Sequence, residues 1–196
     1  MLAAGMGTAV ALAVTGITGG VVAVASAATA HHATHTAPSP WRSATVHPYG
    51  AVISTGVRNS AGELVFYGVK VHLHELPGTT FGVTGGYRKG GNLTSDVETN
   101  ETNGSDLSPG FHAVESALGV NGQSIPEFGY YVGPAAKIIG VAAGKTLQAA
   151  QAHWSIDRQV VIFWFPLGLR TDVTKLAAYN AAGHRLPTGD NSIHHG

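Results

Sequence analysis

His153, Ser155 and Asp157 supply the three residue types of a serine hydrolase (base, nucleophile and orienting acid) at alternate positions of the chain. On an extended strand they would share one face, with neighbours about 6.6 Å apart. A nucleophile and its base must approach to about 2.6–3.2 Å, and triad members normally converge from separate segments. Ser155 also lacks the Gly-x-Ser-x-Gly turn that presents a nucleophile. The trio therefore reads as a polar strand edge running into a turn.

Two further groups have ligand chemistry. His72 and His74, at i and i+2, could bind a metal with Glu75 or His112. Opposite them Val69, Val71 and Leu73 alternate, so the plainer reading is the wet face of a half-buried strand. Asp96, Glu98, Glu101 and Asp106 form the acidic cluster, with no basic residue between Leu93 and Phe111. Calcium favours such oxygen-rich loops. Their spacing departs from the Asp-x-[DN]-x-[DN]-Gly pattern and Gly104 is misplaced for it, so this stretch reads as a solvated loop. His31, His32 and His35 could hold copper or nickel loosely, and Asn92 and Asn100 open unspecific glycosylation tripeptides. Trp154, Phe163, Trp164 and Phe165 could form a sugar platform, but aromatics in so apolar a run belong to a core. The sequence thus assigns no catalytic, cofactor-binding or metal-binding residue.

The elements that must position these groups are strands. Val160 to Phe165 is a continuous β-branched and aromatic run stopped by Pro166, the pattern of a central strand buried on both faces. Glycine-bearing turns at 59–62, 142–145 and 180–183 separate apolar runs, as hairpin loops do. Residues 145–153 (KTLQAAQAH) have helix propensity, but the hairpin context predicts a strand. The stretch 89–110, dominated by Gly, Asn, Thr, Ser and Asp, predicts a long surface loop or irregular hairpin.

The segment Gly129 to Ile138 (GYYVGPAAKI), the Gly144-Lys145-Thr146 turn, the aromatic strand and Ala178 to Leu186 (AYNAAGHRL) together carry a resemblance. The chain over about residues 125–190 resembles the C-terminal β-rich part of small exported, mostly uncharacterised proteins of high-GC actinobacteria. That resemblance implies a β fold and an extracytoplasmic location, and no activity.

Composition sets the outer limits. The 196 residues include 44% apolar and only 11% charged residues, with zero formal net charge. A balanced chain lacks the basic face that meets phosphates, so nucleic acid is not an expected partner. No polybasic run would hold it to anionic lipid. Cysteine is absent, which removes disulfides, thiolate nucleophiles and Cys-type zinc sites. Residues 1–30 contain no charged residue or histidine and end in Ala-Ser-Ala-Ala-Thr-Ala, the small residues signal peptidase requires. The run is also long enough to span a bilayer. It lacks a cationic leading region, so Lys or Arg codons are expected upstream of Met1.

The expected organisation is a signal peptide or membrane anchor at 1–30, a flexible linker at 31–40, a domain at 41–190 and a disordered tail at 191–196. The domain is expected to be all-β, a single antiparallel β-sandwich of Ig-like type behind an N-terminal apolar helix. The leading functional expectation is a non-enzymatic exported module of the cell envelope, touching the membrane only through 1–30 if uncleaved. Its rivals are a secreted hydrolase with a His/carboxylate site and a divalent-metal module built on residues 96–106. A His within reach of a Ser or carboxylate in a concave pocket would favour the hydrolase.

Overall fold

The computed structural model describes residues 46–102 and 105–195. The apolar segment 1–30, the linker 31–40 with its histidines, and Gly104 lie outside the described residues. Among those described there is no helix, and fifteen strands carry the fold. The all-β expectation is met.

Three sheets enclose two cores. The first contains β1 (Tyr49–Asn59), β2 (Gly62–Lys70), β3 (Phe81–Lys89) and β4 (Asn92–Leu93) in order, with β5 (Val97–Asn100) also on β3. β6 (Gly110–Glu115) belongs to the central sheet, and β7 (Leu118–Val120) with β8 (Gln123–Ile125) forms a separate hairpin. After β9 (Phe128–Val132) come β10 (Lys137–Ala142), β11 (Lys145–Gln148), β12 (Ala150–His153), β13 (Val160–Trp164), β14 (Thr174–Tyr179) and β15 (Ile193–His194). The central sheet runs β12-β13-β9-β6-β15 and the third runs β11-β10-β14.

The period-two geometry of strands explains why there are two cores. In β13, Val160 and Ile162 point into the core shared with the first sheet, beside Leu64, Phe66, Phe81 and Val83. Val161 and Phe163 point the other way, to Ile138, Ala142, Leu176 and Ala178 of the third sheet. β9 repeats the division, with Phe128 and Tyr130 on one side and Tyr131 on the other. The Val160–Phe165 run is thus buried on both faces, as its composition predicts. Because the central sheet is apolar on both faces, one covering sheet cannot satisfy it, and the third sheet covers the second face.

The turn chemistry is local. Ala143 and Gly144, with φ of 48° and 75°, join the paired residues Ala142 and Lys145. Positive φ at both central positions is the type I′ hairpin turn, whose twist matches that of the strands. Gly90-Gly91 and Asn121-Gly122 make the same turn elsewhere. Residues 145–153 are strand, as their hairpin context predicts. At Ala149, whose N–H donates to Ile138 O at 3.0 Å, the chain leaves the third sheet for the central one.

Four expectations need correction. β2 ends at Lys70; His72 lies beyond it and His74 and Glu75 sit in a turn closed by Leu76 N–H donating to Leu73 O at 3.2 Å, so alternation continues past the end of pairing. The long-loop alternative for 89–110 fails, because β4 folds back on β3 as a short hairpin and β5 also pairs with β3, closer to the irregular hairpin also expected. The tail is ordered at Ile193 and His194, which pair parallel with Val114 and Glu115 and cap an otherwise open sheet edge. That parallel pair also means the sheets are not wholly antiparallel.

Phe163 is fully buried and packs edge-on against Phe111 and Phe165. Phe163→Ala is expected to lower unfolding stability by about 3–5 kcal/mol in denaturant titrations. A loss below about 1 kcal/mol would contradict the two-sided burial of β13.

Candidate functional site

The structure separates the residues of the apparent triad. His153 ends β12 and its Nδ1 donates to Arg158 O at 2.8 Å. Ser155 Oγ accepts from Ala51 N at 2.7 Å, and Asp157 Oδ1 accepts from Gln159 N at 2.8 Å. His153 and Asp157 serve their own turn, Ser155 fastens it to β1, and none bonds to another. His72 and His74 are exposed, while His112 is buried in β6. Among the described residues no group of three or more His, Asp or Glu is placed to hold a metal ion. Trp154, Phe163 and Phe165 are core residues, and Trp164 is half-buried. Asn92 is exposed, whereas Asn100 is half-buried and donates to Glu101 O.

The acidic stretch is where sequence reasoning needs most correction. Glu101 and Asp106 are each only 2% exposed, so the solvated-loop reading fails for these two, whereas Glu98 is exposed and Asp96 half-buried. Asp106 Oδ2 accepts from Thr80 N (2.6 Å), Thr80 Oγ1 (2.9 Å) and Phe81 N (3.3 Å). Glu101 Oε2 pairs with His112 Nδ1, and its Oε1 accepts from Thr102 N at 2.8 Å. The imidazole stacks on Tyr130, with ring centroids 5.1 Å apart. Burial and the nearby carboxylates of Asp106 and Glu101 raise the Tyr130 phenol far above its ordinary range, burial being the larger cause.

Ser108, exposed, lies with its Oγ 3.4 Å from His112 Nε2, so Ser108, His112 and Glu101 have the order of a Ser-His-Glu relay. Proton placement decides against it. His112 Nε2 lies 2.6 Å from the Ser108 carbonyl oxygen, which can only accept, so Nε2 carries a hydrogen. One more proton must then sit between Nδ1 and Oε2, giving either an imidazolium–carboxylate pair or a neutral imidazole with a carboxylic acid. In both forms Nε2 has no lone pair for the serine. The Ser108 hydroxyl donates instead to Ser105 O at 3.2 Å. The neighbouring cavity of about 400 Å³ is lined by Leu107, Pro109 and Tyr131 among others, and neither Ser108 nor His112 is in its wall. The arrangement is a clamp that ties β6, and the chain just before it, to the end of β5.

Glu127, immediately before β9, was not legible as a special residue. It is 2% exposed, its Oε2 accepts from Val173 N at 2.8 Å, and its Oε1 has no hydrogen-bond partner. Burial, with a smaller contribution from the Asp172 charge, pushes its carboxyl up to about 7 against the hydrogen bond from Val173. One signal could have found Glu127 and the buried His112: each is a polar residue flanked on both sides by apolar ones, in Phe111-His112-Ala113 and Pro126-Glu127-Phe128. A polar group in such a run must be paired, or held neutral, when it is buried.

A second cavity opens where the first sheet diverges from β11 to β13. It measures about 150 Å³ and is lined by Val57, Leu64, Pro126, Gln148, Ala150, Trp164, Phe165, Pro166 and Leu167. No acid, base or nucleophile is in its wall.

No protein-family model, curated protein or solved structure matches this chain.

Two outcomes follow. Removing one partner of the His112–Glu101 pair, as in His112→Ala, is expected to cost about 3–5 kcal/mol, because the other is left buried alone. The double variant His112→Leu/Glu101→Leu should recover much of that loss in urea titrations, and a recovery of nothing would argue against the clamp. For Glu127, folded and unfolded chains are both protonated below about pH 4.5, so no penalty exists there. As pH rises towards about 7 the unfolded chain ionises first, and stability is lost. Stability should fall by about 2 kcal/mol between pH 5 and pH 8, and Glu127→Gln should remove that component from a pH series of unfolding curves.

Proposed function

We propose that this chain is an exported, non-enzymatic module of the cell envelope or extracellular space, with a binding or structural role. Its first and central sheets serve as an Ig-like sandwich, and the third sheet braces the face away from the first. Export rests on the apolar run at 1–30 with its small-residue end, and on the resemblance to actinobacterial exported proteins.

The observation that carries the non-enzymatic reading is the composition of the 150 Å³ cleft. Eight of its nine lining residues are apolar and the ninth is Gln148, so it can recognise an apolar group but cannot transfer a proton to one. A cavity of about 150 Å³ accommodates a single aromatic ring. Trp164, stacked on Phe66 with centroids 5.2 Å apart, offers a rigid aromatic wall. Such a pocket suits one aromatic or branched aliphatic group presented by a partner.

Indole titrated into the purified protein should shift the Trp164 side-chain N–H resonance saturably, and Ala150→Phe, which fills the cleft from an exposed wall, should abolish the shift. In parallel, p-nitrophenyl acetate should be hydrolysed no faster than in buffer. Saturable hydrolysis lost in Ser108→Ala would instead assign the chain to the secreted hydrolases.

A further inference from the structure

The loop between β13 and β14 is held at both ends by one residue of another strand connection. The Glu127 backbone carbonyl accepts from Phe165 N at 2.9 Å, and the Glu127 carboxyl accepts from Val173 N at 2.8 Å. Between these bonds lie Pro166 and Leu167, which line the 150 Å³ cleft, and Leu169, which packs against the second core. Glu127 abuts β9 in the middle of the central sheet, so the loop is the side of this contact free to move. Where the loop begins sets the width of the cleft.

A carboxyl is an unstable choice for this clasp. It is buried, one oxygen has no partner, and the other has a single N–H. No Lys, Arg or His among the described residues forms an ion pair with it. The charged group acting on it is Asp172 of the loop itself, of like sign. On the β6 side Glu115 pairs in register with Phe128, the next residue, and β13 contributes only Val160 to Trp164, none titratable. Ionisation would strengthen the one hydrogen bond from Val173, but a single N–H replaces little of the water that a carboxylate needs.

We propose that Glu127 is a pH-sensitive clasp. As a neutral acid it holds Val173 and keeps the loop against the cleft; once ionised it turns toward water, is repelled by Asp172 and frees the loop. The clasp deepens the binding reading by giving the cleft a control, and rests on that reading for its use but not for its existence.

The test is amide NMR of the intact protein between pH 5.5 and 8.5. The Val173, Leu167 and Gly168 amides and the Trp164 indole N–H should titrate together, with a midpoint near pH 7. Hydrogen exchange at Leu169, corrected for its intrinsic pH dependence, should rise at least tenfold across the range. Glu127→Gln, which keeps the acceptor without the charge, should flatten all of these, and Asp172→Asn should move the midpoint down. A flat Val173 amide in the native protein, or a titration unchanged in Glu127→Gln, overturns the clasp. Indole binding at both pH values separates the two ideas. Titrating amides without indole binding at either pH keep the clasp and remove the binding reading, whereas pH-independent indole binding with flat amides does the reverse.

Discussion

The two-sided burial of the central sheet is the constraint on which the rest depends. β13 and β9 place apolar side chains alternately on both faces, so neither face can be left to water. Each face demands its own covering sheet, and the chain provides them from opposite ends of the sequence: β1 to β5 on one side, β10, β11 and β14 on the other. Aromatic contacts run through these layers, with Phe81 lying between Trp154 and Tyr130, and Tyr130 in turn stacked on His112. The sheet edges are managed within the same plan, as β15 closes the β6 edge.

A dry, two-sided interior also dictates what happens to polar groups at its margins. Tyr131 reaches Pro187 O and Trp154 reaches Tyr49 O, each at 3.0 Å or less, because an unpaired donor there would be costly. His112 and Glu101 meet for the same reason, and Asp106 gathers three donors. These pairs look like chemistry on a residue inventory. Their hydrogen bonds are consumed in fastening the chain between β5 and β6, and the nitrogen that a hydrolase would need as a base is already a donor. Glu127 is one of the exceptions, as the Tyr130 hydroxyl is another: a buried carboxyl only half satisfied, placed where a loop meets an open cleft. Under the proposed binding role, structure and recognition lie close together there, in side chains that no motif marks.

The legibility of these features followed how local their causes are. The Val160–Phe165 run announced its burial because every residue in it is large and apolar, and the turns at 59–62, 142–145 and 180–183 announced themselves through glycine. Helix propensity at 145–153 yielded to pairing with β10 and β13, which only partner strands can impose. Alternation at Val69 to Leu73 misled because a side-chain pattern continues past the last paired residue. Polarity at 89–110 misled because β4 and β5 are short strands held by backbone pairing to β3, with Asn92 and Glu98 still facing water.

The sequence by itself determined the class: strands of alternating or continuous apolar character, joined by turns whose positive φ glycine and asparagine tolerate, without cysteine and without excess charge. Those properties reside in single residues and their near neighbours. Tertiary structure decided the number of sheets, the burial of Glu101, Asp106, His112 and Glu127, and the partners each acquired. Residues 15 or more apart cannot declare a hydrogen bond through local pattern; Glu127 and Val173 are 46 positions apart. Whether a carboxylate is solvated, paired or kept neutral depends on what the fold packs around it, and that is set only when distant strands close over it.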